Sequence, residues 1–234
     1  MRCFVALRPP EDFVRKAGAL IAGLALSLDG WRWVRSEGLH MTVAFLGDTG
    51  SEGIELALRA LRQTAAQVKR ECSPACAPAF SFRRLGAFPG RSRPRVLVLE
   101  PEREERSEPL WRSFNGLLAR YADEAGAANP NAEWPPGRPW RPHVTLARAS
   151  GSQAGLPVPG YRVPGFASPV TFGHLALYET VAGNGPAQYS IIEQTPPAAA
   201  GRTGRTGGGR PLKHGDLKAA ATTLTNGNVV AIIS

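Results

Sequence analysis

The chain is short of the residues that carry the commonest site chemistries. Of its 234 residues only three are cysteine, Cys3, Cys72 and Cys76, an odd number with no C-x-x-C spacing and no histidine beside them. That pattern supports neither a disulfide framework nor a thiolate zinc site, and a reduced, cytoplasmic compartment is the expectation. There is no H-E-x-x-H, and no group of carboxylates stands beside the histidines at metal-site spacing, so no metal is expected. The apolar run Ala17 to Leu28 is too short to cross a bilayer and reads as a core helix, while the N-terminal residues lack a signal-peptide cleavage pattern. No membrane role is expected. Acidic residues are scarce as well: 19 Asp and Glu face 28 Lys and Arg, a net charge of +9. A pI near 10.2 points to an anionic partner such as nucleic acid or a nucleotide. Of that charge, +4 comes from Thr195 onward, where Arg202, Arg205, Arg210, Lys213 and Lys218 stand against Asp216 alone.

What remains is ordinary for a chain with a real core, 43% hydrophobic and 20% charged. The order of elements gives the class. Arg2 to Leu7 reads as a strand, Glu11 to Leu26 as an amphipathic helix, Trp31 to Val34 and Leu39 to Leu46 as strands, and Ser51 to Arg70 as a helix. Beyond it, Ala79 to Phe88 and Arg95 to Leu99 read as strands, Leu110 to Ala125 as a helix, and Pro142 to Arg148, Val170 to Val181 and Gln188 to Glu193 as strands. Without regular βαβ alternation, this favours an α+β fold of antiparallel sheet backed by helices. The composition changes to Pro, Ala, Gly, Thr and Arg at Thr195, dividing the chain into a body, 1–194, and an expected flexible tail, 195–234.

Two segments then repeat one pattern, Leu39-His40-Met41-Thr42-Val43-Ala44-Phe45 and Pro142-His143-Val144-Thr145-Leu146-Ala147-Arg148. Each has a histidine and, two residues on, a threonine in an apolar run, so the alternation of a strand points imidazole and hydroxyl to one face. A chain with four histidines has placed two of them in matching contexts 103 positions apart. Two related halves that bring these faces together would set two imidazoles across a cleft, an arrangement suited to acid–base chemistry on a group held between them.

The flanking residues strengthen the pattern: the N-terminal Arg2-x-Phe4-Val5-Ala6-Leu7, Leu46-Gly47 after the first motif, Leu85-Gly86-Ala87-Phe88-Pro89 leading to Arg93-Pro94-Arg95-Val96-Leu97, and Arg141 before the second. On these residues the chain resembles the two-histidine (2H) phosphoesterases, and within them the bacterial and archaeal RNA 2′,3′-cyclic phosphodiesterases, also called 2′-5′ RNA ligases. The resemblance covers about Met1 to Glu193. It implies a bilobal, pseudo-symmetric α+β fold, two antiparallel sheets lining a central cleft with helices outside. It also implies an enzyme, a phosphoric diester hydrolase that opens the 2′,3′-cyclic phosphate end of RNA to a 2′-phosphate and needs no metal or organic cofactor. The implied roles are His40 as general acid to the departing O3′, His143 as general base to water, Thr42 and Thr145 as phosphate clamps and Arg148 on the nucleotide. The resemblance also implies reversible 2′-5′ RNA ligation. The implied partner is RNA with a 2′,3′-cyclic end, or a small cyclic nucleotide, bound by a monomer.

The chemistry accounts for the residue types. In-line attack at phosphorus puts nucleophile and leaving oxygen on opposite sides, so base and acid must approach from opposite faces. Histidine, with an ordinary pKa of about 6.5, serves either role near neutrality, and threonine hydroxyls can donate to oxygens where charge accumulates.

Other residues carry less. Arg148 has the strand parity of Val144, so it reaches a cleft only where the strand bends or ends, and Phe45, with the same parity, is placed in the core. His174 lacks a partner threonine and is expected to be structural; His214 is expected to be solvated in the tail. Arg91, Arg93 and Arg95 suit either a rail for RNA phosphates or a solvated turn. Trp134 and Trp140 suit base stacking or, preferably, packing that pins their loop. The alternative to an enzyme is a non-catalytic nucleotide- or RNA-binding module on the same fold. Such a module is free to lose a histidine or a threonine, and all four are present.

Overall fold

The computed structural model describes residues 1–71, 78–102, 107–129, 139–151, 156, 161–163, 165–166, 168–181 and 187–195. In chain order these form β1 (Arg2–Arg8), α1 (Glu11–Ala25), β2 (Trp31–Trp33), a 3₁₀ turn (Ser36–Gly38), β3 (Met41–Asp48), α2 (Ser51–Glu71), β4 (Ala79–Phe80), β5 (Phe82–Phe88), β6 (Val96–Pro101), α3 (Ser107–Glu124), β7 (Val144–Ala149), β8 (Val170–Thr171), β9 (His174–Val181) and β10 (Gln188–Gln194). The expected α+β class holds, with helices on one side of an antiparallel sheet.

The sheet runs β10-β9-β1-β3-β7-β6-β5, with β2 also paired to β7, eight strands in all. Its two halves are the two expected sheets, and they are continuous rather than separate. What joins them is one pairing, Met41 with Val144. These two residues are themselves 103 positions apart, so each half offers the same residue of its own repeat at the junction.

The helices follow from their apolar spacing. Helix α1 buries Phe13, Ala17 and Leu24, α2 buries Leu56, Ala57, Ala60 and Leu61, and α3 buries Leu110, Phe114, Leu117, Leu118 and Tyr121. All of these enter one hydrophobic core with the helix-facing residues of the strands, including Val5, Leu7, Met41, Leu99, Val144 and Leu146. A second, small cluster of Phe4, Ala6, Ala176 and Tyr178 is formed by the alternate residues of β1 and β9, which places it on the opposite face of the sheet.

Two stretches expected as single strands are broken. Ala79 to Phe88 divides at Ser81, and Val170 to Val181 divides at Phe172-Gly173; the short pieces β4 and β8 pair with each other as a separate two-stranded sheet. Phe80, Ser81 and Phe82 are all buried. A flat strand cannot send successive residues into one core, so the chain turns there. The turn sends both phenyl rings into a cluster with Phe13, Phe166 and Phe172, in which Phe13 has three ring neighbours at 5.2 Å.

The expected body-to-tail boundary falls at the edge of the described residues. Thr195 is buried, its backbone N–H donates to the Leu175 carbonyl at 2.9 Å, and its hydroxyl exchanges bonds with the same residue at 3.1 Å. It is held by the body. Residues 196–234, with His214 and the basic tail, lie outside the described residues, as do Cys72, Cys76 and Trp134. Cys3 is a buried free thiol, its pKa pushed up by burial. Among the described residues no helix is long and apolar enough to cross a membrane.

Because Phe13 is fully buried among three other phenyl rings, Phe13→Ala is expected to cost about 3–5 kcal/mol of unfolding free energy. The check is the urea midpoint at constant m value. A loss below about 1 kcal/mol means the aromatic cluster does not hold α1 to the sheet.

Candidate active site

Register brings the two motifs together. With Met41 opposite Val144 in an antiparallel pair, one step along each strand sets His40 across from Thr145 and Thr42 across from His143. Met41 and Val144 point into the helix-backed core, so the four polar side chains share the other face. His40, Thr42, His143 and Thr145 accordingly line one cavity of about 440 Å³. Both histidines sit immediately before their strands rather than within them.

The parity of Arg148 and Phe45 is resolved by a bulge that occurs twice. Along β3, Ala6 pairs with Thr42 and Val5 with Ala44, leaving Val43 as the extra residue. Along β7, Val98 pairs with Thr145 and Leu97 with Ala147, leaving Leu146 as the extra residue. Val43 and Leu146 are again 103 positions apart. One extra residue reverses the alternation, and the burial pattern shows it: Val43 and Ala44 are both buried, as are Leu146 and Ala147, and the next side chain faces out. Those next side chains are Phe45 and Arg148, and both line the cavity. Phe45 is therefore not a core residue, being 47% exposed. A second bulge at Leu46 ends beside Gly47, whose φ of +66° is a backbone conformation that favours glycine.

The imidazoles are held alike. His40 Nδ1 lies 2.7 Å from the Gly38 carbonyl, and His143 Nδ1 lies 2.7 Å from the Arg141 carbonyl, each two residues back along the chain. A carbonyl only accepts, so Nδ1 carries the hydrogen in both rings and Nε2 of the neutral ring is an acceptor. Aromatic edges fix the ring planes: Tyr189 meets His40 at 5.1 Å and Phe88 meets His143 at 4.9 Å, both nearly perpendicular. Phe4 packs on His40 at 4.7 Å, backed by Tyr178.

Burial disfavours charge on both rings. It pushes the pKa of His40 down to about 4, with the neighbouring His143 and Arg148 acting the same way and the Gly38 carbonyl in opposition. His143 is also pushed below the ordinary histidine value, chiefly by burial, with the Arg141 carbonyl and Glu100 opposing. Glu100 acts through a brace. Its Oε1 accepts from Arg141 Nη2 at 3.2 Å, and the Arg141 guanidinium lies 4.6 Å over the Phe88 ring whose edge meets His143. Space for the carboxylate exists because residue 86 is glycine: a Cβ there would stand 2.6 Å from it.

Among the described residues, the cavity is lined by Arg2, Arg148, Thr180 and Tyr189 besides the motif residues, with no carboxylate. That lining suits an anion. No described group of three or more His, Cys, Asp or Glu is placed to hold a metal ion.

The remaining sequence candidates lie elsewhere. His174 Nδ1 meets the Thr195 carbonyl at 3.0 Å and Gln194 at 3.1 Å, and does not line the cavity. Trp140 stacks on Trp111 and donates from Nε1 to the Thr42 carbonyl at 3.0 Å, so it braces the first motif. Arg95 donates to the Gly151 carbonyl, and Arg91 lines a separate groove. Sequence reasoning missed Phe4, Phe45, Tyr189, Thr180, Phe88 and Glu100. Phe4 and Phe88 stand in the flanking segments that carry the resemblance, and Phe45 stands 103 positions before Arg148.

The depressed pKa of His40 ties the site to stability. Between the unfolded value near 6.5 and about 4, the unfolded chain binds a proton that the native state does not, so stability falls as pH falls through that window. The expected contribution is on the order of 3 kcal/mol between pH 7 and pH 4. Urea titrations at both pH values check it, and His40→Gln is expected to remove most of the difference; an equal pH dependence in the variant would refute the assignment.

Comparison with known proteins bears on the family and the fold. The family model for LigT-like phosphoesterases matches residues 7–98, which include the first motif. An RNA 2′,3′-cyclic phosphodiesterase of Thermus thermophilus is 33% identical over 175 residues, 74% of this chain and 75% of that protein. One of Thermotoga maritima is 28% identical over 124 residues, 52% of this chain and 61% of that protein, so the match spans less than two thirds of the latter's length. Among solved structures, a Thermus thermophilus protein superposes with a TM-score of 0.59 at 25% identity, covering 83% of this chain and 96% of the other. Escherichia coli LigT complexed with 3′-AMP gives 0.56 at 25% identity and the same coverage. By its sequence relatives and its fold, the chain belongs to the LigT-like family of two-histidine phosphoesterases.

Proposed function

We propose that this phosphoesterase hydrolyses the 2′,3′-cyclic phosphate end of RNA to a 2′-phosphate by acid–base catalysis between His40 and His143, without a metal ion. One observation carries the reading: two imidazoles from equivalent strands, each with Nδ1 tied to a carbonyl, share one cavity with two threonines and no described carboxylate. The names of the relatives in Thermus thermophilus, Thermotoga maritima and Bacillus subtilis support the substrate class.

In this mechanism His143 Nε2 takes a proton from water as its oxygen attacks phosphorus, and the P–O3′ bond breaks while His40 Nε2 protonates O3′. The phosphate stays on O2′. Thr42 and Thr145 donate to the non-bridging oxygens, and Arg148 offsets the charge that builds there. Burial by itself favours two neutral rings, as the depression of both pKa values requires. A bound phosphodiester anion between them reverses that preference and loads the one proton the reaction needs. With the 5′-hydroxyl of another fragment attacking phosphorus in place of water, the same pair in the same roles would form a P–O5′ bond as P–O3′ breaks, giving a 2′-5′ linkage.

His40→Ala and His143→Ala are each expected to lower turnover by about 10²–10⁴ with the fold retained. RNA ending in a 2′,3′-cyclic phosphate, with the product phosphate located by NMR, provides the assay. Full activity in either folded variant sinks the mechanism, and a 3′-phosphate product sinks the assignment of His40 to O3′.

The pH profile tests the electrostatics. Because both imidazoles lie below 6.5 in the free enzyme, the singly protonated pair is most abundant below that pH, and kcat/KM is expected to peak there and decline toward neutrality. kcat should peak at higher pH, since the substrate's negative charge raises both rings. EDTA is expected to change neither profile; loss of turnover that a divalent ion restores would favour a metal-dependent hydrolase.

A further inference from the structure

A second groove lies along β5, about 480 Å³ in volume and lined by Arg83, Arg84, Arg91 and Arg141, with Glu100 and Glu102. Its floor is Leu85-Gly86-Ala87 of β5, the outer strand of the sheet. Beyond β6, the only strand-like pairing of β5 among the described residues is the single bridge between Arg84 and Arg162.

Both carboxylates are already engaged. Glu102 holds Arg83 at 3.1 Å, and Glu100 holds Arg141 at 3.2 Å. Arg84 has no side-chain partner among the described residues, and Arg91 adds a further cation to the rim. With four arginines and two glutamates in its described lining, the groove has two more cations than anions around a channel of nucleotide size.

The groove adjoins the catalytic cavity. The Arg141 guanidinium that walls it lies on one side of the Phe88 ring, and His143 lies against the edge of the same ring. One phenyl group separates a groove-lining cation from a cavity-lining imidazole, a gap that one nucleotide step can bridge. An RNA end seated between His40 and His143 has its cyclic phosphate at the 3′ terminus, so the rest of the strand must leave the cavity in the 5′ direction.

We propose that the strand leaves past Phe88, and that Arg84 and Arg91 bind the backbone phosphates of the nucleotides preceding the reacting end. This rests on the reading of the cavity as a cyclic-phosphodiester site and extends it from a terminal nucleotide to a polynucleotide. The groove makes the enzyme select RNA ends over free cyclic nucleotides. An acidic peptide would meet the same charge, but only a polynucleotide is required to pass from one cavity to the other.

The test compares two substrates of the full-length protein: adenosine 2′,3′-cyclic monophosphate, and a short RNA oligonucleotide ending in the same cyclic nucleotide. In Arg84→Gln/Arg91→Gln, kcat/KM for the oligonucleotide is expected to fall roughly tenfold through KM, and its log–log salt slope to shrink by about 0.7 for each backbone phosphate no longer bound. Turnover of the mononucleotide should stay within about twofold, because neither arginine lines the catalytic cavity. Arg84→Glu should deepen the oligonucleotide defect by adding repulsion. An unchanged ratio of the two substrates, or an equal loss on both, overturns the groove and leaves the cavity reading standing. If the wild type turns over neither substrate, the cavity reading fails. The groove is then judged by fluorescence anisotropy with the 2′-phosphate-ended oligonucleotide, where equal affinity in wild type and double variant overturns it.

Discussion

The antiparallel pairing of Met41 with Val144 is the contact on which the site depends. Both side chains are fully buried beneath the sheet, so a slip of one residue would carry Met41 or Val144 to the cleft face and a histidine or threonine into the apolar core. The penalty for burying an unpartnered polar group fixes the register. The register in turn decides that each histidine meets the threonine of the other half. Because the paired residues are equivalent positions of the two repeats, the junction behaves like the self-complementary interface of a symmetric dimer folded into one chain.

The bulges at Val43 and Leu146 add a second layer to that symmetry. Without them Phe45 and Arg148 would point toward the helices. With them, one half presents a phenyl ring and the other a guanidinium at the same place in the pattern. The halves are thus alike in backbone and unlike in what they offer a ligand: an aromatic surface of Phe45, Phe4 and Tyr189 on one side, and Arg148 on the other. The two imidazoles are held alike, while the walls beside them differ.

Electrostatically the cavity is prepared for an anion. Two half-buried rings with lowered pKa values, Arg2, Arg148 and a set of hydroxyls line it, with no carboxylate among the described lining residues. In the proposed mechanism a phosphodiester supplies the balancing negative charge and allows one ring to hold a proton. The Glu100–Arg141–Phe88 brace moderates the effect on the His143 side only, so the two rings are chemically unequal before substrate arrives.

Much of this was legible in the residues. The two His-x-Thr segments, their spacing, the helices that back them and the basic excess are local or compositional features, and periodicity reads them directly. The breaks at Ser81 and Phe172-Gly173 were hidden, because a run of apolar, β-prone residues looks alike whether it serves one sheet or turns into another. Phe45 was misplaced for a related reason: strict alternation is the rule a bulge breaks, and the extra residue shows itself only through the partner strand. Glu100, Phe88 and Tyr189 come from strands distant in sequence and reach the histidines through packing. The sequence by itself determined that two His-x-Thr sets stand at equivalent positions, since residue type and period are properties of a single strand. Only the tertiary structure decided which face Phe45 and Arg148 share, how far burial depresses each imidazole and what braces it, because register, bulges and desolvation exist only once strands from both halves are paired and the sheet is closed over its core.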